Sequence, residues 1–211
     1  MTRVKICGLT SERDVLTAAR LGAWACGFVL SESPRRVGVS HAAELTPLTG
    51  SALAVAVVTT EDAEWIAAAL VDGGFGAVQL CAGADGPTVA DVRAAAQERA
   101  LRPLVIAAQG TTDASSADLL LLDSRTKEAY GGTGRTLDWP ALAAQHLPRE
   151  RLVLAGGLRP ANADLAIKLL RPRVVDASSG VERAPGIKDP RLLNAFFGAV
   201  AGADFSGGAS A

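Results

Sequence analysis

Histidine is scarce in this chain, with two in 211 residues, and cysteine is scarce and odd in number, at three. Three thiols at Cys7, Cys26 and Cys81 do not make a disulfide framework and read as reduced cysteines. No run approaches about 18 apolar residues, so no transmembrane helix and no membrane partner are expected. The N-terminus carries Arg3 and Lys5 but no apolar core followed by a cleavage site, so the expected location is the cytoplasm. Neither charge sign dominates: 21 Lys and Arg stand against 22 Asp and Glu, a net charge of −1. That balance gives no basic surface to attract nucleic acid, which is not expected as a partner. Small-residue linkers that would divide the chain into domains are absent, so one domain is expected.

Hydrophobic residues make up 49% and charged residues 20%, a globular composition able to bury a large core. Short apolar runs alternate with helical stretches. The runs are 4–7, 25–30, 54–58, 77–81, 104–108, 118–123, 151–156 and 173–178. Seven of the eight are near-continuous apolar segments, as strands buried on both faces are. Between them, 11–22, 61–73, 88–100, 138–147 and 160–171 read as helices, and 190–202 closes the set. Ser11 is placed to cap the first of these. About nine residues separate the fifth and sixth strands, too few for a full helix.

Alternation of this kind implies a parallel sheet with right-handed crossovers. Eight units in 211 residues fit a compact (β/α)8 TIM barrel over 1–203, with the helix between strands five and six reduced and 204–211 a flexible tail. A doubly wound open sheet, with fewer strands, is the alternative.

In a barrel the chemistry gathers at the carboxyl ends of the strands. Those ends carry Cys7–Gly8, the segment Ser31–Arg36, Thr59–Thr60, Gln79 and Cys81, Gln109, Asp123, Gly156–Gly157, and Asp176 followed by Ser178, Ser179, Gly180, Val181 and Glu182. Glycine-rich turns after the last two strands point to a phosphate site at Gly156, Gly157, Ser178, Ser179 and Gly180, because glycine lets an anion approach converging backbone N–H groups. His41 and His146 fall at helix ends, which leaves Cys7, Asp123 and Asp176 as acid–base candidates at strand tips. An Asp at a strand end is equally a turn former, and a cysteine is equally a small buried residue. The residues alone leave both choices open.

Taken in order, KICGLT, GFVL…SPRRV, VQL, LLLD…YGGTGRTLDW, LAGGLRPAN and VDASSGVE…PGIKD resemble phosphoribosylanthranilate isomerase of tryptophan biosynthesis, over nearly the whole chain. The resemblance implies an Amadori rearrangement of N-(5-phosphoribosyl)anthranilate without a cofactor, by a monomer or homodimer acting on a small phosphorylated substrate. It implies Cys7 as general base, Asp123 as general acid, Arg35 as the grip on the anthranilate carboxylate, and Asp176 and Gln79 as substrate-facing residues. Loop 124–136 is expected to close over the substrate. Two positions depart from the family pattern: Cys81 stands where histidine is usual, and Val57–Thr60 where Phe-Val-Asn is usual. One rival is a histidine-pathway or dual-substrate isomerase, but those carry aspartate at both catalytic positions. The other is a non-catalytic phosphate-binding barrel, against which Cys7, Asp123 and Arg35 together argue.

Overall fold

The computed structural model describes residues 1–81, 83–123 and 138–207. Eight parallel strands close into a barrel in sequence order, β1 through β8. They are β1 Arg3–Cys7, β2 Ala25–Val29, β3 Leu53–Val58, β4 Ala77–Leu80, β5 Leu104–Ala108, β6 Leu119–Leu122, β7 Leu152–Leu154 and β8 Val174–Ala177. Closure comes from β1 pairing with β8, where Lys5 lies opposite Asp176.

The continuous apolar runs have a simple cause. Alternate residues of each strand point to opposite faces. One set, including Ala25, Val55, Val57, Ile106, Ala108, Leu119, Leu121 and Val153, fills the barrel interior with Cys7. The other set, including Ile6, Phe28, Val58, Leu80, Val105 and Leu154, packs outward against the helices. With both faces covered, each strand is apolar except where a buried polar residue finds a partner or faces the cavity, as Lys5, Gln79 and Asp176 do. A fully buried Leu or Ile contributes about 1.5–3 kcal/mol, so these two shells hold the fold.

The helices are α1 Glu12–Arg20, α2 Val39–Leu45, α3 Ala63–Asp72, α4 Val89–Glu98, α5 Trp139–Ala143, α6 Pro160–Leu170 and α7 Pro190–Gly207. Ser11 caps α1 by accepting from the Asp14 N–H at 3.4 Å. Between β5 and β6 there is only a 3-10 turn, Ala114–Ser116, as the short spacing requires. Three features differ from the expected pattern. α5 stops at Ala143 rather than 147, because Leu147 precedes Pro148 and is driven out of helical geometry. α7 runs to Gly207, past the boundary expected at 203. Asp204 explains the extension, since its carboxylate accepts from Thr2 N and Thr2 Oγ1 at 2.6 and 2.9 Å and ties the helix end to the chain start. After β8 the chain forms an unexpected two-stranded hairpin, β9 Glu182–Ala184 and β10 Ile187–Lys188. Among the described residues no helix is long and apolar enough to cross a membrane.

Candidate active site

A cavity of about 600 Å³ opens at the carboxyl ends of the strands. Its wall includes Cys7, Arg35, Gln79, Asp123, Gly156, Gly157, Asp176, Ser178, Ser179 and Gly180, so every site residue singled out in the sequence meets there. The two departures, Val57 and Cys81, line it as well. A second cavity, about 480 Å³, lies beside Pro103 and Leu104 where β5 begins, and holds none of these residues. The expected closing loop, 124–136, lies outside the described residues.

Strand geometry sets the depth of each group. Lys5 and Cys7 are two apart on β1 and so share the inward face. Lys5 is fully buried, and its Nζ donates to Asp176 Oδ2 at 2.6 Å across the seam of the barrel. Burial alone would lower the Lys5 pKa. The charge of Asp176 and the neighbouring Cys7 outweigh that and raise it, so Lys5 stays an ammonium. Asp176 is pushed above its ordinary value by burial, which Lys5 only partly opposes. Its Oδ1 is buried and, among the described residues, without a hydrogen-bond partner. Burial also raises the Cys7 thiol above its ordinary value of 9.0, with Lys5 pulling the other way. At neutral pH the cavity thus holds a protonated thiol beside a buried cation.

Gly8 explains how Cys7 stays uncovered. It takes φ +74°, and a Cβ there would lie 2.5 Å from Arg35 Cδ and 3.2 Å from Ser178 Oγ. Only glycine lets the chain turn off β1 while Arg35 and Ser178 close in. Gly180 is as constrained: a Cβ would sit 1.9 Å from the Leu158 carbonyl oxygen. This close approach packs the turn after β7, where Gly156 and Gly157 have φ +87° and +69°, against the turn after β8. The two glycine turns form one continuous wall of the cavity.

Of the two neighbouring arginines, Arg35 faces the cavity and Arg36 does not. Arg36 reaches the Leu30 carbonyl at 3.1 Å and, with its side chain 57% exposed, lies 3.7 Å from Glu32. Arg35 is held by Glu182 in a two-pronged pair, Nε to Oε1 at 2.9 Å and Nη2 to Oε2 at 2.7 Å. Glu182 also accepts from Lys188 Nζ at 2.7 Å. At the opposite rim, Gln79 Nε2 donates to Cys81 Sγ at 3.3 Å, and Gln79 Oε1 is buried with no partner among the described residues. Cys26 faces outward into the shell between barrel and helices, away from the cavity. His41 bonds to Glu44 and to the Thr10 carbonyl on the surface.

Comparison with known proteins agrees with this geometry. The family model "N-(5'phosphoribosyl)anthranilate (PRA) isomerase" matches residues 4–199. The chain belongs to this family. An N-(5'-phosphoribosyl)anthranilate isomerase from Rubrobacter xylanophilus is 42% identical, covering 94% of this chain and 98% of its own. A crystal structure of mutually generated monomers of the dimeric family member from Thermotoga maritima superposes with a TM-score of 0.77 at 31% identity, covering 96% and 100% of the two chains. A solved family member in complex with reduced 1-(o-carboxyphenylamino)-1-deoxyribulose 5-phosphate superposes with a TM-score of 0.75 at 32% identity, covering 96% and 100%. The family is one of aldose–ketose isomerases.

Lys5, Glu182 and Lys188 did not emerge as site residues from the sequence. Lys5 did leave a signal. A lysine two residues before Cys7, in a strand apolar on both faces, must find a buried partner.

Proposed function

We propose that this chain isomerises N-(5'-phosphoribosyl)anthranilate to 1-(2-carboxyphenylamino)-1-deoxyribulose 5-phosphate in tryptophan biosynthesis. The reaction is an internal oxidation–reduction: C2 of the sugar rises from alcohol to ketone while C1 falls from imine to methylene. Atoms are conserved, so no external oxidant is required.

The supporting observation is the single cavity that holds Cys7 and Asp123 together with Arg35 and the paired glycine turns. The strands bearing Cys7 and Asp123, β1 and β6, are three steps apart around the closed barrel, so the two groups approach a bound sugar from different sides. In this reading Asp123 protonates the furanose ring oxygen and the ring opens to an imine. Cys7 then removes the C2 proton, and the enolamine tautomerises to the ketone. A buried thiol is a poor base, and the substrate corrects this. The imine cation, placed above a site that already holds Lys5, adds the second positive charge that draws the thiol toward thiolate. Arg35 takes the anthranilate carboxylate through charge-assisted contacts. The turns at Gly156–Gly157 and Ser178–Gly180 take the phosphate through backbone N–H groups. The unpaired Oδ1 of Asp176 is an acceptor for a sugar hydroxyl, and Gln79 borders the anthranilate ring.

The test is turnover by the purified chain, followed as loss of anthranilate-type fluorescence. In a Cys26→Ala, Cys81→Ala background, Cys7→Ala should fold and lose roughly 10²–10⁴-fold in kcat. Full activity of that variant would make the thiol packing, and the mechanism would be wrong.

A further inference from the structure

We propose that Glu182 is a positioning residue for the carboxylate clamp: it grips one edge of the Arg35 guanidinium and so presents the other edge to the substrate carboxylate. The proposal rests on the reading of Arg35 as that clamp. A guanidinium carries five N–H donors in a fixed planar fork. Glu182 occupies the edge made by Nε and one side of Nη2, at 2.7–3.1 Å. Nη1 takes no part in this pair. One of its N–H groups and the second N–H of Nη2 form the end-on edge, which suits a second carboxylate through two parallel hydrogen bonds.

The grip is itself anchored. Lys188 Nζ donates to Glu182 Oε1 at 2.7 Å, to the Cys7 carbonyl at 2.6 Å and to the Ser178 carbonyl at 3.3 Å. All three ammonium donors are thereby used. The Gly186 N–H adds a fourth donor to the Glu182 carboxylate at 3.3 Å, and the Lys188 N–H is fixed to Asp14 at 2.9 Å. The hairpin β9–β10 exists to bring Glu182 and Lys188 side by side. Through Lys188, the clamp, the main chain of Cys7 and the phosphate-side turn at Ser178 share one fixed point. The charges also suit an anionic ligand: two cations against one carboxylate leave one positive charge for the incoming carboxylate. Burial pushes the Glu182 carboxyl up, but the hydrogen bonds from Arg35 and Lys188 outweigh it and hold it below its ordinary value, so the grip is ionised at neutral pH.

The experiment compares two probes by calorimetry: reduced 1-(2-carboxyphenylamino)-1-deoxyribulose 5-phosphate, which carries the carboxylate, and inorganic phosphate, which does not. Wild type, Glu182→Gln, Arg35→Ala and the double variant are each measured. Glu182→Gln should weaken the carboxylate-bearing probe about tenfold, the size of one lost charge-assisted contact, and leave phosphate unchanged. In the Arg35→Ala background the same change should have no further effect, because Glu182 acts through Arg35. Should Glu182→Gln not fold, Glu182→Asp keeps the charge beside Lys188 but withdraws the grip by one methylene, and a smaller loss with the same split is expected. Equal weakening of both probes, or undiminished loss in the Arg35→Ala background, would overturn the proposal alone. Failure of the wild-type chain to bind the carboxylate-bearing probe more tightly than phosphate would overturn the clamp reading and the proposal together.

Discussion

Lys5 and Lys188 are both buried, and each is paired with a carboxylate at or just beyond β8, yet the two pairs are furnished differently. Lys188 has three acceptors, and its carboxylate, Glu182, has donors from Arg35, Lys188 and Gly186. Neither Lys188 nor Glu182 is left wanting. Lys5 has the carboxylate acceptor Asp176 Oδ2 and the Cys7 sulfur beside it, and among the described residues the second oxygen of that carboxylate has no donor although it is buried at the cavity wall. A buried charge pair repays its desolvation only when the remaining lone pairs and protons are satisfied. The satisfied pair is a strut. The unsatisfied one leaves an unused acceptor and sets a cation beside the Cys7 thiol, which under the proposed reaction serve the bound substrate and the base.

The largest expected effect separates the two pairs directly. Lys5→Met leaves Asp176 as a buried carboxylate without a counter-charge, which costs about 3–5 kcal/mol at neutral pH. It also removes the cation that opposes burial at Cys7, so kcat should fall by about 10²-fold. Lys188→Met leaves Glu182 still gripped by Arg35, and its stability cost should be nearer about 1–3 kcal/mol, with the smaller loss of kcat. Chemical denaturation and steady-state kinetics on the two purified variants decide the matter. Equal costs, or the larger kcat loss for Lys188→Met, would erase the distinction.

A smaller effect lies in the pH profile. Burial raises the Cys7 thiol above its ordinary value of 9.0; under the proposed reaction the imine cation of the bound substrate adds a positive charge that lowers it. The profile of kcat/KM reports the free enzyme and that of kcat reports the complex. With Asp123 needed protonated and Cys7 ionised, both profiles should be bell-shaped, and the limb set by Cys7 should lie at lower pH for kcat than for kcat/KM. Coincident midpoints would mean that the substrate contributes no charge to the base.

The same contrast explains what the sequence could tell. Strand alternation and tip residues were sufficient to foresee the barrel, because each apolar run is local. The glycine-rich turns and the family motifs together pick out ten residues that do line one cavity. The pairs that support them were hidden. Lys5 meets Asp176 across 171 residues and Arg35 meets Glu182 across 147, so both contacts exist only once β8 closes on β1. Glu182 reads as an ordinary polar residue in a loop, since nothing local announces the hairpin β9–β10. The end of α7 is not legible in the sequence for the same reason: Asp204 is held by Thr2, at the far end of the chain.

The smallest effect tests the strut by its proton linkage. Glu182 is held below its ordinary value of 4.5 by Arg35 and Lys188, against the upward push of burial. The folded state therefore releases this proton more readily than the unfolded chain does. The stability it contributes is complete above pH 4.5 and is lost as the pH falls through the folded value. Asp176 works in the opposite sense. Its value is raised above 3.8, so its contribution is full below that pH and is lost as the pH rises through its folded value. The wild-type acid slope is the difference of the two. Glu182→Gln removes only the first, so its stability should fall less steeply than that of wild type below pH 4.5, even though it starts lower. Denaturant midpoints measured from neutral to acid pH read this slope. An unchanged or steeper slope would show that Glu182 is not held ionised by its partners, and the contrast between the two pairs would lose its electrostatic basis.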